Sequence, residues 1–115
     1  MTKPTPSVAQ LERAYAQAQR YLGQLGHISQ GSVQDRTARV GGGAGYQWTR
    51  KIAGKTVTVA LTPEQFTKMK EAVENYRKLR RQLRKMEQLS RHIIFQTTPH
   101  GDRRKHLSPQ VLGIK

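Results

Sequence analysis

Between Arg77 and Arg91 the chain reads RKLRRQLRKMEQLSR: seven basic residues and one acid, Glu87, with apolar residues kept at helical spacing. Like charges one turn apart repel along a helix, so a helix this cationic needs a buried seam to hold it. The pattern predicts a long amphipathic helix that fixes positive charge in an outer array. The commonest counterpart of such an array is a polyanion, and the commonest polyanion is nucleic acid.

The remaining composition favours binding over catalysis. Twenty-one Lys and Arg face seven Asp and Glu, a formal charge of +14. Hydrophobic residues make up 35% of the 115, below the ~45–50% of a typical globular domain. One small domain with a thin core is expected, which dimerisation or a ligand would help. Without cysteine there is no disulfide, thiol nucleophile or Cys-ligated zinc. His27, His92, His100 and His106 read as separate surface residues. Glu71 and Glu74 are the only close pair of acids, three apart on the outer face of a helix amid lysines, where surface ion pairs are expected. No two or three carboxylates cluster to hold Mg²⁺. The expectation is therefore no enzyme, no metal and no cofactor. No apolar run approaches ~18 residues, and the N-terminal MTKPTPS lacks the apolar centre of a signal peptide. A cytoplasmic protein without a membrane partner is expected.

Along the chain, residues 1–6 read as a flexible leader, 7–95 as a single helix–sheet–helix domain and 96–115 as a basic flexible tail. Ser7 and Gln10 have capping-box spacing. Val8, Leu11, Tyr15, Ala18, Leu22 and Leu25 then follow in steps of three and four, a heptad seam ending near Gly26. Ser32–Val40 reads as a weak strand and Gly41–Gly45 as a flexible connection. That glycine run lacks the Lys and Ser or Thr of a phosphate loop. Tyr46, Trp48 and Ile52 alternate with polar residues, as do Val57, Val59 and Leu61. Ala53-Gly54-Lys55 between them suits a hairpin turn.

Thr62, Pro63, Glu64 and Gln65 mark the start of the second helix. Phe66, Met69, Ala72, Val73 and Tyr76 form a face broad enough to cover a sheet. Tyr76, Leu79, Leu83, Met86, Ser90 and Ile93 continue as a heptad seam matching the first helix in length. The fold class expected is α+β: two long helices packed antiparallel through heptad seams, in one chain or across a dimer, with a two- or three-stranded antiparallel sheet between them in sequence.

The expected nucleic-acid contacts are Arg77, Lys78, Arg80, Arg81, Arg84, Lys85 and Arg91 on the second helix. Arg50, Lys51 and Lys55 near the hairpin and Arg103, Arg104 and Lys105 in the tail complete the set. Dense cations neutralise phosphates without reading sequence. Tyr46 and Trp48 could stack on unpaired bases, but the reading adopted places them with Ile52 on the face buried under the second helix, Arg50 at its edge.

Residues 31–94 resemble a family of short bacterial proteins of uncharacterised role encoded beside the transposases of mobile elements. The resemblance lies in the order Gly31-Ser32-Val33, Tyr46-Gln47-Trp48-Thr49-Arg50-Lys51, Gly54-Lys55-Thr56-Val57, Leu61-Thr62-Pro63-Glu64 and Glu74-Asn75-Tyr76-Arg77-Lys78-Leu79. Many members carry cysteines in the loop that here reads Val40-Gly41-Gly42-Gly43-Ala44-Gly45, so any metal role of the family does not transfer. The resemblance implies a mobile-element setting and supplies no catalytic residue. The expected function is a DNA-binding accessory of low sequence specificity, DNA being favoured over RNA. The alternatives are a coiled-coil adaptor that pairs with a transposase or with itself as a homodimer, and an RNA-binding protein.

Overall fold

In a computed structural model of the protein, the described residues are 5–36, 45–99 and 107–114. Among them the elements are α1 (Val8–Leu22), β1 (Ser32–Asp35), β2 (Tyr46–Ile52), β3 (Lys55–Leu61), α2 (Pro63–Thr97) and the short α3 (Pro109–Leu112). Two compact units divide the chain, one built from Leu25–Leu79 and the other from Met1–Gln24 with Arg80–Lys115. The first carries the sheet and the second is helical. α2 contributes to both.

In the sheet unit the strand order is β1-β2-β3 and both pairings are antiparallel. Ile52 pairs with Lys55, so the hairpin loop is the two residues Ala53 and Gly54. Both have positive φ, 51° and 80°, as the tight turn matching the twist of two strands demands. The register puts Val33, Trp48 and Val59 side by side, with Tyr46 opposite Leu61. One face thus gathers Val33, Asp35, Tyr46, Trp48, Arg50, Ile52, Lys55, Val57, Val59 and Leu61.

α2 starts where the sequence places it. The Gln65 amide donates to Thr62 Oγ1 at 3.1 Å and the Thr62 amide donates to Gln65 Oε1 at 2.9 Å, a reciprocal cap. Its first turns cover one end of the sheet. The rings of Tyr46 and Phe66 lie 4.4 Å apart between centroids at a 31° tilt, and Ala72 and Val73 are buried.

Residues 25–31 are pinned across this corner. Asn75, itself buried, donates from Nδ2 to the His27 carbonyl at 3.0 Å. The Ser29 amide donates to the Ala72 carbonyl at 3.1 Å, and Trp48 Nε1 donates to the Gln30 carbonyl at 2.9 Å. Gly31 makes the turn into β1 at φ 108°, where a Cβ would stand 2.5 Å from both the Thr49 carbonyl oxygen and Trp48 Nε1. Backbone cannot yield as a flexible side chain does, and a side chain at this φ is strained in itself. Gly31→Ala is expected to cost ~2–4 kcal/mol and to perturb Trp48. Thermal melts followed by the fluorescence of the chain's single tryptophan check this, and an unchanged melt with unchanged emission refutes it.

Three expectations about this architecture need correction. The first concerns the pair of long helices. α1 has 15 residues and α2 has 35. α1 stops at Leu22 with Gly23 as its C-cap, short of Leu25 and Gly26. Glycine loses the most backbone freedom in a helix, and the following carbonyls of His27 and Gln30 accept from Asn75 and Trp48 instead of from a next helical turn. The capping box at its other end is as read: the Gln10 amide donates to Ser7 Oγ at 3.2 Å and the Ser7 amide to Gln10 Oε1 at 2.9 Å.

The second concerns the sheet face. Tyr46 and Trp48 are half-buried, but Ile52, Val57 and Val59 are 43%, 38% and 42% exposed. Helix α2 leaves from the Leu61 end, and the hairpin turn lies about 20 Å away along seven residues of strand at ~3.3 Å each. Cover near Tyr46 does not extend that far.

The third concerns the seam in the helical unit. Leu11 and Ala18 of α1 are buried, yet Leu83 of α2 is 43% exposed. The half-buried positions from Arg80 to Thr97 are Gln82, Met86, Leu89, Ser90, Arg91, His92 and Ile93. The inward line therefore passes through Gln82 where the sequence suggests Leu83. Glu12 and Tyr15 of α1 line one surface pocket with Ser90, Ile93 and Ile94 of α2.

Candidate nucleic-acid interface

The charged face of α2 follows from helix geometry alone. At about 100° per residue, Arg77, Lys78, Arg81, Arg84 and Lys85 fall within an arc of about 120°. All five are exposed. None has a hydrogen-bond or ion-pair partner among the described residues. Glu74 is the nearest acid toward the helix start, and Glu87 lies outside the arc, beside Arg91. Between these two acids the helix offers nothing anionic to neutralise its own cations.

The other expected contacts are placed differently. Arg80 is exposed, lies off the arc, and interacts within the fold. Arg91 is half-buried and occupied: its Nη1 donates to the Leu112 carbonyl at 3.1 Å, and its Nη2 stands 3.8 Å from Glu87 Oε2. It caps the C-terminal end of α3, and a Cβ on Gly113 would stand 2.7 Å from the same Nη1. The guanidinium thus serves the fold. Arg103, Arg104 and Lys105 lie outside the described residues, as does the Val40–Ala44 part of the glycine loop. α3 is an element that the sequence reading leaves out, although its signal is present. Ser108 is the N-cap, Pro109 opens the helix, and Gly113 ends it at φ 75°.

Arg50, Lys51 and Lys55 sit together at the hairpin end of the sheet unit, all exposed. The Arg50 guanidinium lies 5.9 Å from the Trp48 ring centroid, at the outer range of a cation–π contact. From Gly45 to Pro63 the chain has no acid.

Chemically these surfaces offer cations and hydrogen-bond donors. Among the described residues no group of three or more His, Cys, Asp or Glu is placed to hold a metal ion, and no described helix is long and apolar enough to cross a membrane. Comparison with protein-family models, with curated proteins and with solved structures found no match.

Proposed function

We propose that the protein binds duplex DNA through the phosphates contacted by α2, with low sequence specificity. The observation that carries this reading is the exposed arc of Arg77, Lys78, Arg81, Arg84 and Lys85, with no acid between Glu74 and Glu87. These residues span about 12 Å of helix axis at ~1.5 Å per residue. Over that distance a duplex presents about seven phosphates at one charge per ~1.7 Å. Charge density on the two sides is therefore commensurate. Arg and Lys so placed neutralise phosphates and carry no base information of their own.

The shorter helix serves as a brace in this reading. α1 packs antiparallel on the C-terminal half of α2 through its seam, supported by the burial of Leu11 and Ala18 and by the pocket that Glu12 and Tyr15 share with Ser90, Ile93 and Ile94. The brace keeps the cationic arc turned outward. The resemblance to proteins encoded beside transposases supports an accessory role in a mobile element, acting in the cytoplasm where that DNA is handled.

The test is a binding isotherm on duplex DNA repeated across salt concentrations. Five phosphate contacts at ~0.9 each give a log–log slope of about −4 to −5. A flat salt response overturns the proposal and favours a seam-mediated adaptor, since apolar packing responds little to ionic strength. Tighter binding to duplex RNA than to DNA at matched salt overturns the preference for DNA.

A further inference from the structure

The sheet narrows toward its turn. β1 pairs with β2 only from Tyr46 to Thr49, where Ser32 is the last partner, and Gly31 then turns the chain away. Beyond Thr49 the remaining pairs are Arg50 with Val57, Lys51 with Thr56 and Ile52 with Lys55. The end of the sheet unit is therefore a two-stranded ribbon closed by Ala53 and Gly54, and every residue from Arg50 to Ala60 is exposed. It projects about 10 Å past the three-stranded part, at ~3.3 Å per residue over three residue pairs.

Three features of this tip point to one kind of occupant. Arg50, Lys51 and Lys55 stand on three successive residue pairs, and no acid lies anywhere from Gly45 to Pro63. The occupant is anionic. The ribbon is two strands wide, about 4.8 Å between strand axes plus side chains, and the major groove of a duplex is ~12 Å wide and admits a two-stranded ribbon. The same tip also bears exposed apolar groups, Ile52 and Val57. The major-groove floor presents thymine methyl groups for such side chains to meet, together with the guanine O6 and N7 acceptors that Arg and Lys bind. A surface made only for phosphates has no use for exposed isoleucine and valine.

We propose that the β2–β3 tip inserts into the major groove of duplex DNA as a second contact, with Ile52 at the groove floor, Arg50 and Lys55 on the same face directed at guanine edges, and Lys51 on the other face directed at groove-wall phosphates. This rests on the reading of the protein as a duplex binder and adds base-edge contact to a phosphate-only array. The ribbon then supplies what sequence preference the protein has.

The test uses the full chain. Lys51→Gln with Lys55→Gln leaves the Arg50–Trp48 contact untouched and alters only exposed positions. With both contacts made, this variant is expected to bind duplex DNA at least ~10-fold more weakly at 100 mM salt, and its salt slope should shrink by about 2, at ~0.9 per contact. Dimethyl sulfate footprinting reads the groove. Wild type is expected to protect guanine N7, and the double variant to lose that protection. Ile52→Ser is expected to reduce the preference among duplexes of different sequence while leaving the salt slope unchanged. Wild-type binding with a normal slope but no N7 protection, or a double variant matching wild type, overturns the groove contact alone. No duplex binding by wild type overturns both readings. Capture of an acidic protein by wild type but not by the double variant, with no N7 protection on DNA, assigns the tip to a protein partner and also overturns it.

Discussion

Replacing Arg81, Arg84 and Lys85 together by Glu is expected to weaken duplex DNA binding at least ~100-fold at 100 mM salt. Each phosphate contact contributes an exponent of ~0.9 in salt concentration, so at 0.1 M one contact is worth about eightfold and three are worth several hundredfold. The slope should become shallower by about 2.7, the share of three contacts at ~0.9 each. The three glutamates add repulsion on top of the lost contacts. The fold should not suffer, because all three positions are exposed and exposed substitutions usually move stability by about ±0.5 kcal/mol. The change at position 81 turns the like-charge pair Arg77–Arg81, four apart on one helix, into an attractive one, while the 81–85 pair stays like-charged, so the pair terms along the helix change little. Arg80 is left in place because it interacts within the fold. Affinity within threefold of wild type, in a variant with a wild-type melt, rejects α2 as the binding element.

What could be read ahead of the structure follows the range of the forces involved. Both capping boxes were legible because a cap is decided by residues three apart. The hairpin was legible for the same reason, its turn needing only two residues with positive φ. The cationic face of α2 was legible because helical periodicity alone puts Arg77, Lys78, Arg81, Arg84 and Lys85 together. Arg91 carries the same charge but is occupied, by Glu87 four residues before it at 3.8 Å and by the carbonyl of Leu112, twenty-one residues away, at 3.1 Å. α1 ends at Gly23, and the carbonyls of His27 and Gln30 beyond it accept from Asn75 and Trp48, remote in sequence. The bare end of the sheet depended on where α2 departs from it, which alternation along β2 and β3 does not encode. Ile52 has the pattern of a core residue and lies beyond the reach of the core.

Leu83 shows the same limit within one helix. A heptad seam through Leu79, Leu83, Met86 and Ser90 and one through Leu79, Gln82, Met86 and Leu89 differ by one residue, and a straight helix drifts ~20° per heptad relative to an ideal seam. Hydropathy favours Leu83 over Gln82 but Leu89 over Ser90, so it does not decide between the two seams. The structure leaves Gln82 half-buried, with its Oε1 buried and lacking a hydrogen-bond partner among the described residues. The inward line of α2 thus carries a polar residue, of the kind that sets register in helical pairs at some cost in stability.

Leu11 and Leu83 therefore separate the two readings of the helical unit. Leu11 is 5% exposed and Leu83 is 43% exposed. Leu11→Asp removes a buried apolar side chain and places a charge where water is excluded, an expected cost of ~3–5 kcal/mol. For a cooperative unit of this size that lowers the melting temperature by more than ~10 °C, at ~4–8 °C per kcal/mol. Leu83→Asp puts its carboxylate in reach of solvent and is expected to cost under ~1 kcal/mol. Its helical neighbours are Arg80, three residues before, which attracts the new acid, and Glu87, four residues after, which repels it, so these pair terms largely offset. Thermal melts monitored by circular dichroism at 222 nm compare the two directly. Equal, large losses from both would restore Leu83 to the seam. A negligible loss from Leu11→Asp would mean that α1 does not brace α2 at all.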